Sequence, residues 1–274
     1  MLLSIIWGFA MHCQTEADFV FPTLDQNYNI NEMAFAYVLG DSVNLRKCPS
    51  FDCDIIDTVS IGKPLILEQK SDHIDDFNGI KSHWYKIQSK NDTKWIFGTM
   101  LSRYSFGSQT DPSVKFVSGS TKQGVYQIRA FRDNVQLDKI EFPFYQRYHN
   151  GITSLGSSGL DLSDIIIFKL PCIGGCGCAT GEFYIFWNNN VFSEVYEMLG
   201  TADAWASESK SFIFPTQMQG IPDTVIKVSS YYIDHEPEEH INRGIKKEYL
   251  KWDGEKLIPD TTKKTETKTF WTEE

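Results

Sequence analysis

The sequence has none of the short motifs that mark the common catalytic sites. No Gly-x-Ser-x-Gly nucleophile turn, phosphate-binding loop or dinucleotide-binding glycine fingerprint occurs in its 274 residues. His235 and His240 are one position too far apart for the helical zinc-protease motif, and Pro237 between them would break the helix. We therefore predict a protein that is not an enzyme and that needs no cofactor.

Positive charge is also scarce. The chain has 26 Lys and Arg against 36 Asp and Glu, which gives a formal net charge of −10. A surface that binds a phosphate backbone needs a local concentration of Lys and Arg, and no segment provides one. This composition excludes nucleic acid as the expected partner.

The apolar run at the N-terminus, residues 2–11, is too short to cross a bilayer as a helix but suits the core of a signal peptide. It ends before Cys13, where the chain turns polar, and this pattern resembles a lipoprotein signal whose Cys becomes the acylated first residue. We predict a signal over residues 1–13, lipidation of Cys13 and a tether over residues 14–34. The protein would then be anchored to a membrane of the cell envelope. Simple secretion and a buried N-terminal element are the alternatives.

The six cysteines fall into patterns that suit an oxidising compartment. Cys48 and Cys53 enclose a short loop and are predicted to form a local disulfide. Cys172, Cys176 and Cys178 lie in a glycine-rich loop, where a fourth zinc ligand is missing. We predict no metal site but a disulfide between Cys172 and Cys178, although the pairing within these three stays open.

Residues 35–104 consist of short β-rich runs separated by turn residues, which predicts a small all-β barrel. An Asn-Leu-Arg triplet at 44–46 is followed by a Pro-Ser turn, and two strands follow on either side of Gly62. A Trp-Tyr-Lys element at 84–86 and a Trp-Ile-Phe element at 95–97 complete the series.

These five elements, in this order, resemble the bacterial SH3-like (SH3b) domain over about a quarter of the chain. Lys94 stands where the family usually has Gly, and residues 70–83 form a longer loop than usual. The resemblance implies a barrel that binds a cell-wall peptide, a glycan or a protein. The candidate ligand-binding aromatics are Trp84, Tyr85, Trp95 and Phe97, of which strand alternation would turn about half toward the core.

A Gly/Ser/Pro-rich linker over residues 105–113 separates the barrel from a β-rich domain over residues 114–259. This domain contains three predicted hairpins, at residues 125–142, 183–196 and 247–258, and only residues 195–205 suggest a short helix. Its fold would be a meander, a sandwich or an open barrel, which makes the whole chain mainly β. Residues 260–274 are predicted to be a flexible tail.

Asp161 and Asp164 faintly resemble a calcium loop of FG-GAP repeats, but two carboxylates are too few, and a polar turn is expected instead. The function that these features predict is a non-enzymatic, exported cell-envelope protein whose SH3-like module binds the cell wall or an envelope protein. The alternatives are an accessory subunit or degenerate form of a peptidoglycan hydrolase, and a thiol or metal module at residues 172–178.

Overall fold

The computed structural model describes residues 34–143, 151–170, 178–202, 206–235 and 240–273. These residues form three antiparallel sheets, and the only helical element among them is a single 3-10 turn, Gly98–Met100. The predicted mainly β fold is therefore confirmed. No helix in the described ranges has the length and apolar character needed to cross a membrane.

The first sheet has seven strands in the order β3-β2-β6-β5-β4-β1-β7. Its strands are β1 (Ala34–Val38), β2 (Ser42–Arg46), β3 (Ile55–Ser60), β4 (Pro64–Phe77), β5 (Ile80–Ile87), β6 (Lys94–Phe97) and β7 (Leu101–Ser102). One buried cluster collects side chains from six of these strands, including Leu45, Leu67, Tyr85 and Ile96. The sheet must curl around this cluster, because a flat sheet could not bring so many strands to one core.

Residues 70–83, predicted as a loop, instead continue strands β4 and β5 as a long hairpin. Its turn is formed by Asn78 and Gly79, whose φ angles of 54° and 80° suit a two-residue hairpin turn. The hairpin carries Phe77 and Trp84 to the outer side of the first sheet.

The second sheet has the strand order β11-β10-β9-β8, and the third runs from β12 through β19 with β20 paired to β18. The second sheet consists of β8 (Ser105–Gly107), β9 (Lys115–Lys122), β10 (Val125–Arg132) and β11 (Val135–Pro143). The third consists of β12 (Gly151–Ser154), β13 (Asp164–Leu170), β14 (Cys178–Asn188), β15 (Val191–Ala202), β16 (Ala206–Ile213), β17 (Val225–His235), β18 (His240–Trp252), β19 (Leu257–Pro259) and β20 (Glu266–Glu273).

Strands β13 to β15 form the middle layer of the second half of the chain. Ile166 and Phe168 face the second sheet, where Phe168 packs against Tyr126 at a ring distance of 4.9 Å. Ile165 and Ile167 face the other way, into a cluster closed by side chains of β16 to β19. Both faces of β13 are buried, which explains its unbroken apolar run.

The three predicted hairpins of the second half are confirmed, with one difference in the last. Asp133 with Asn134, and Asn189 with Asn190, all have positive φ and form tight turns. In the third hairpin Trp252 pairs with Leu257, so the loop spans residues 253–256 rather than two residues. The short helix suggested for residues 195–205 is wrong, because β15 covers most of that range.

Two segments predicted to be irregular contain strands that attach them to the sheets. The linker begins with β8, which pairs with β9, and the tail contains β20, which pairs with β18 along its whole length. The tail thus extends the edge of the third sheet.

The first sheet also packs directly against the second. Leu39 and Ile61, which directly follow β1 and β3 of the first sheet, share a buried cluster with Val117 and Phe131 from the second. In the middle of the linker, the buried carboxylate of Asp164 accepts hydrogen bonds from the backbone N–H of Gln109 and from the hydroxyls of Ser108, Thr110 and Ser154. The linker is therefore a fixed connection.

Candidate binding cleft

A cleft of about 360 Å³ opens on the outer side of the first sheet. Tyr85 and Ile96 face the core of the sheet, so their neighbours Trp84 and Phe97 face outward. The residues that line this aromatic cleft are Ser42, Val43, Asn44, Arg46, Phe51, Asp76, Phe77, Trp84, Phe97 and Met100. They come from β2, β4, β5, β6, the 3-10 turn and the loop between β2 and β3.

Four packed rings form the base and the walls of the aromatic cleft. Trp84 and Phe97 lie with their ring centroids 5.2 Å apart, and Phe51 lies 5.0 Å from Trp84 and 4.8 Å from Phe97. Phe77 completes the group at 6.1 Å from Phe51. Trp84 and Phe97 are only 1% and 2% exposed, so they form the base of the cleft, whereas the half-buried Phe51 and Phe77 form its walls.

The orientation of Trp84 is fixed by hydrogen bonds. Its indole Nε1 donates to Oδ2 of Asp75 over 2.7 Å, and its backbone N–H donates to the hydroxyl of Ser71 over 3.1 Å. Asp75 also lies 3.1 Å from Nε2 of His73 through its other oxygen. A charged acceptor strengthens the indole hydrogen bond, so the base of the cleft is rigid.

Phe51 is presented by the loop between β2 and β3. Cys48 and Cys53 form a disulfide across this loop, with their Cα atoms 5.7 Å apart, as the sequence predicted. Nη1 of Arg46 donates to the carbonyl of Cys53 over 2.5 Å, and the guanidinium carbon lies 5.7 Å from the centre of the Phe51 ring. The Arg of the Asn-Leu-Arg triplet thus holds one wall of the cleft.

Two side chains of opposite charge, Arg46 and Asp76, line the aromatic cleft. Asp76 accepts a hydrogen bond from the backbone N–H of Gly79 over 2.9 Å. In the part of the chain that the structure describes, no ion pair joins the two residues. Each can therefore contact a polar group of a molecule whose apolar part packs against the aromatic walls.

Two of the four aromatics predicted from the sequence line the cleft. Trp84 and Phe97 do, whereas Tyr85 is a core residue with 2% exposure. Trp95, 8% exposed, packs with Trp84 and Phe97 but does not line the cleft. Sequence reasoning missed Phe51 and Phe77, although Phe51 lies between the paired cysteines and Phe77 directly precedes an Asn-Gly turn.

The remaining predicted sites concern residues that the structure describes only in part. Cys13, Cys172 and Cys176 lie outside the described residues. The predicted disulfide between Cys172 and Cys178 includes Cys172 and therefore also lies outside them. Within the described ranges, no group of three or more His, Cys, Asp or Glu side chains is placed to hold a metal ion. Asp164 is buried among hydroxyl and amide donors, whereas Asp161 is exposed.

The described residues form a mainly β fold with an open cleft on the first sheet, and four of the ten residues that line this cleft are aromatic. Comparisons with protein-family models, with curated proteins and with solved structures find no match to this chain.

Proposed function

We propose that this chain is a non-enzymatic binding protein of the cell envelope, exported and anchored by a lipid on Cys13. Its SH3-like first sheet would hold a cell-wall component or an envelope protein in the aromatic cleft. The observation that carries the proposal is the cleft itself, which is open to solvent and combines two half-buried aromatic walls, Phe51 and Phe77, with an Arg and an Asp. Open concave sites with apolar floors and few polar groups are the usual form of ligand sites.

The ring packing supports a preformed site. Each wall residue contacts other rings before any ligand arrives, as Phe51 does with Trp84 and Phe97. Binding then requires little ordering of side chains, and less of the interaction free energy is lost. A ligand with an apolar group of side-chain size and an attached polar group suits this arrangement.

The Cys48–Cys53 disulfide supports the location, because disulfides persist in oxidising compartments outside the cytoplasm. The apolar run before Cys13 supports export and lipid attachment. Fractionation of cells, with intact-mass analysis of the mature N-terminus, tests this part. A diacyl or triacyl mass on Cys13 is expected, and a chain in the cytoplasmic fraction that retains Met1 would contradict it.

Co-sedimentation with purified peptidoglycan sacculi tests the binding role of the cleft. Phe77→Ala removes one wall without entering the core of the sheet, and we expect it to weaken binding about tenfold, as for a well-packed contact residue. Phe35→Ala is the matched control, because Phe35 lies on β1 of the same sheet, is 60% exposed and does not line the cleft. Equal binding of the two variants would contradict the proposal.

A further inference from the structure

The walls of the aromatic cleft differ in how they are attached to the fold. Nine of the ten lining residues belong to strands or to the 3-10 turn, whose backbone is held by the first sheet. Phe51 is the exception, because it lies in the loop between β2 and β3. The position of this wall depends on the conformation of that loop.

Phe51 contributes more ring contacts than its place in a loop would suggest. It packs on Trp84, Phe97 and Phe77, with centroid distances of 5.0, 4.8 and 6.1 Å. Its ring also lies beneath the guanidinium of Arg46. If Phe51 moved away, the cleft would lose one wall and the rings of its base would be open to water.

The loop is held by hydrogen bonds within residues 47–54, by the hydrogen bond from Arg46 to the carbonyl of Cys53 and by the ring contacts of Phe51. The backbone N–H of Lys47 donates to the carbonyl of Asp54 over 3.1 Å, and that of Cys53 donates to the carbonyl of Ser50 over 3.3 Å. The disulfide is the one covalent link across the loop, and it joins residues five positions apart on either side of Phe51. Cys48 is exposed and Cys53 is half-buried, so a reductant can reach the bond.

We propose that the Cys48–Cys53 disulfide is a redox switch for the aromatic cleft, which binds its ligand more tightly while the bond holds Phe51 in place. This inference rests on the proposed function of the cleft. A thiolate of a dithiol reductant attacks one sulfur, forms a mixed disulfide and releases the other Cys as a thiolate. The second thiol of the reductant then attacks the reductant's own sulfur in the mixed disulfide and displaces the protein Cys as a thiolate, which leaves two protein thiols and an oxidised cyclic reductant.

The switch would give the envelope protein a binding site that is completed only after export, when the disulfide forms. In the reducing cytoplasm the loop is open and Phe51 is not fixed, so ligand binding must include the cost of ordering it. In an oxidising compartment the closed loop presents the completed cleft. We expect reduction to weaken binding about two- to tenfold, which matches the cost of immobilising one large side chain and its loop.

Fluorine NMR of the full-length chain labelled with 5-fluorotryptophan tests the coupling without any ligand. The Trp84 signal, assigned by its loss in Trp84→Phe, should shift when dithiothreitol reduces the loop, whereas the Trp252 signal should not, because Trp252 packs on Phe186 of the third sheet. Phe51→Ala in the oxidised chain should give a similar shift of Trp84. Alkylation of Cys48 and Cys53 by iodoacetamide after the treatment verifies that the disulfide is reduced. A Trp84 signal that does not change although both cysteines are alkylated would overturn the proposal.

Co-sedimentation with peptidoglycan sacculi then tests the effect on binding. The oxidised wild type should bind two- to tenfold more tightly than the reduced wild type, and the Cys48→Ser/Cys53→Ser variant should match the reduced wild type without dithiothreitol. Phe51→Ala should be insensitive to reduction. Equal binding of oxidised and reduced wild type would overturn the switch. Binding in neither state would contradict the proposed wall ligand, and the Trp84 signal would then decide the coupling alone.

Discussion

At the scale of single residues, strand alternation decides which aromatics serve the cleft. Trp84 and Tyr85 are neighbours in β5, yet Trp84 faces the cleft and Tyr85 the core. Alternation predicted that about half of the aromatics would face inward, but the sequence could not say which half. Phe51 and Phe77 were not predicted to line the cleft, because they lie outside the residues that resemble the SH3-like domain.

The hydrogen bond between Trp84 and Asp75 should keep the base of the cleft rigid. Asp75→Ala removes the charged acceptor of the indole N–H, and such hydrogen bonds contribute roughly 1.5–3 kcal/mol. We expect the exchange of the Trp84 indole proton with solvent to become about tenfold faster or more. Asp72→Ala, an exposed carboxylate of the same hairpin, is the control. Equal exchange rates in the two variants would show that Asp75 does not hold the ring.

Asp260 makes a prediction about pH. A hydrogen bond from the Thr262 hydroxyl, with further support from Lys263 and Lys251, lowers the pKa of the Asp260 carboxyl well below its usual range. A depressed pKa in the folded state stabilises the fold above the unfolded pKa of about 3.9, and this stabilisation is lost as the pH falls further.

Asp260→Asn should therefore lower the urea midpoint relative to the wild type at pH values above about 4, and the difference should shrink as the solution is acidified below that pH. Unfolding curves of both proteins across this range provide the measurement. A difference that stays constant down to the acid limit of folding would contradict the role of the Asp260 charge.

At the scale of elements, turns were the most predictable feature. Asp133 with Asn134, and the Asn run at 188–190, identified two hairpins because these residues tolerate positive φ. The Asn78-Gly79 turn carries the same signal, but the expected SH3-like pattern placed a loop there. Strand β20 was not predicted because its Thr- and Lys-rich sequence has little apolar alternation, and its pairing with β18 depends on distant residues.

The Asn78-Gly79 turn should stabilise the hairpin that carries Phe77, one wall of the cleft. Gly79→Ala places a Cβ at a φ of 80° and 3.0 Å from Oε1 of Gln123, and we expect a loss of about 1 kcal/mol in the free energy of unfolding. Gly107→Ala is the control, since its nearest neighbour to an added Cβ is 4.0 Å away. Urea unfolding followed by tryptophan fluorescence provides the measurement, and equal midpoints would contradict the turn assignment.

At the scale of the whole molecule, the three sheets are joined by packing that the sequence did not reveal. The predicted linker contributes Ser108, Gln109 and Thr110 to a buried cluster of hydrogen bonds around Asp164. Hydrogen bonds between residues more than fifty positions apart leave no local signal in the sequence. Composition and turn chemistry were sufficient for the fold class, whereas the arrangement of the sheets depends on these distant contacts.

The cluster of hydrogen bonds around Asp164 should stabilise the junction of the second and third sheets. Asp164→Ala leaves buried hydroxyl donors without their acceptor, which costs roughly 1–3 kcal/mol for each group that stays unsatisfied. We expect a clear fall in the urea midpoint, whereas Asp161→Ala, at an exposed position, should change the free energy of unfolding by no more than about 0.5 kcal/mol. Similar midpoints for the two variants would contradict the structural role of Asp164.

The central claim is that the aromatic cleft holds an envelope ligand, and photo-crosslinking in intact cells tests it most directly. Benzoyl-phenylalanine at Asn44, an exposed residue that lines the cleft, should give an adduct that either disappears on muramidase digestion or forms one discrete protein band. The same group at Asn91, exposed but outside the cleft, should give neither. Identical products at both positions, or no product at Asn44, would contradict the account.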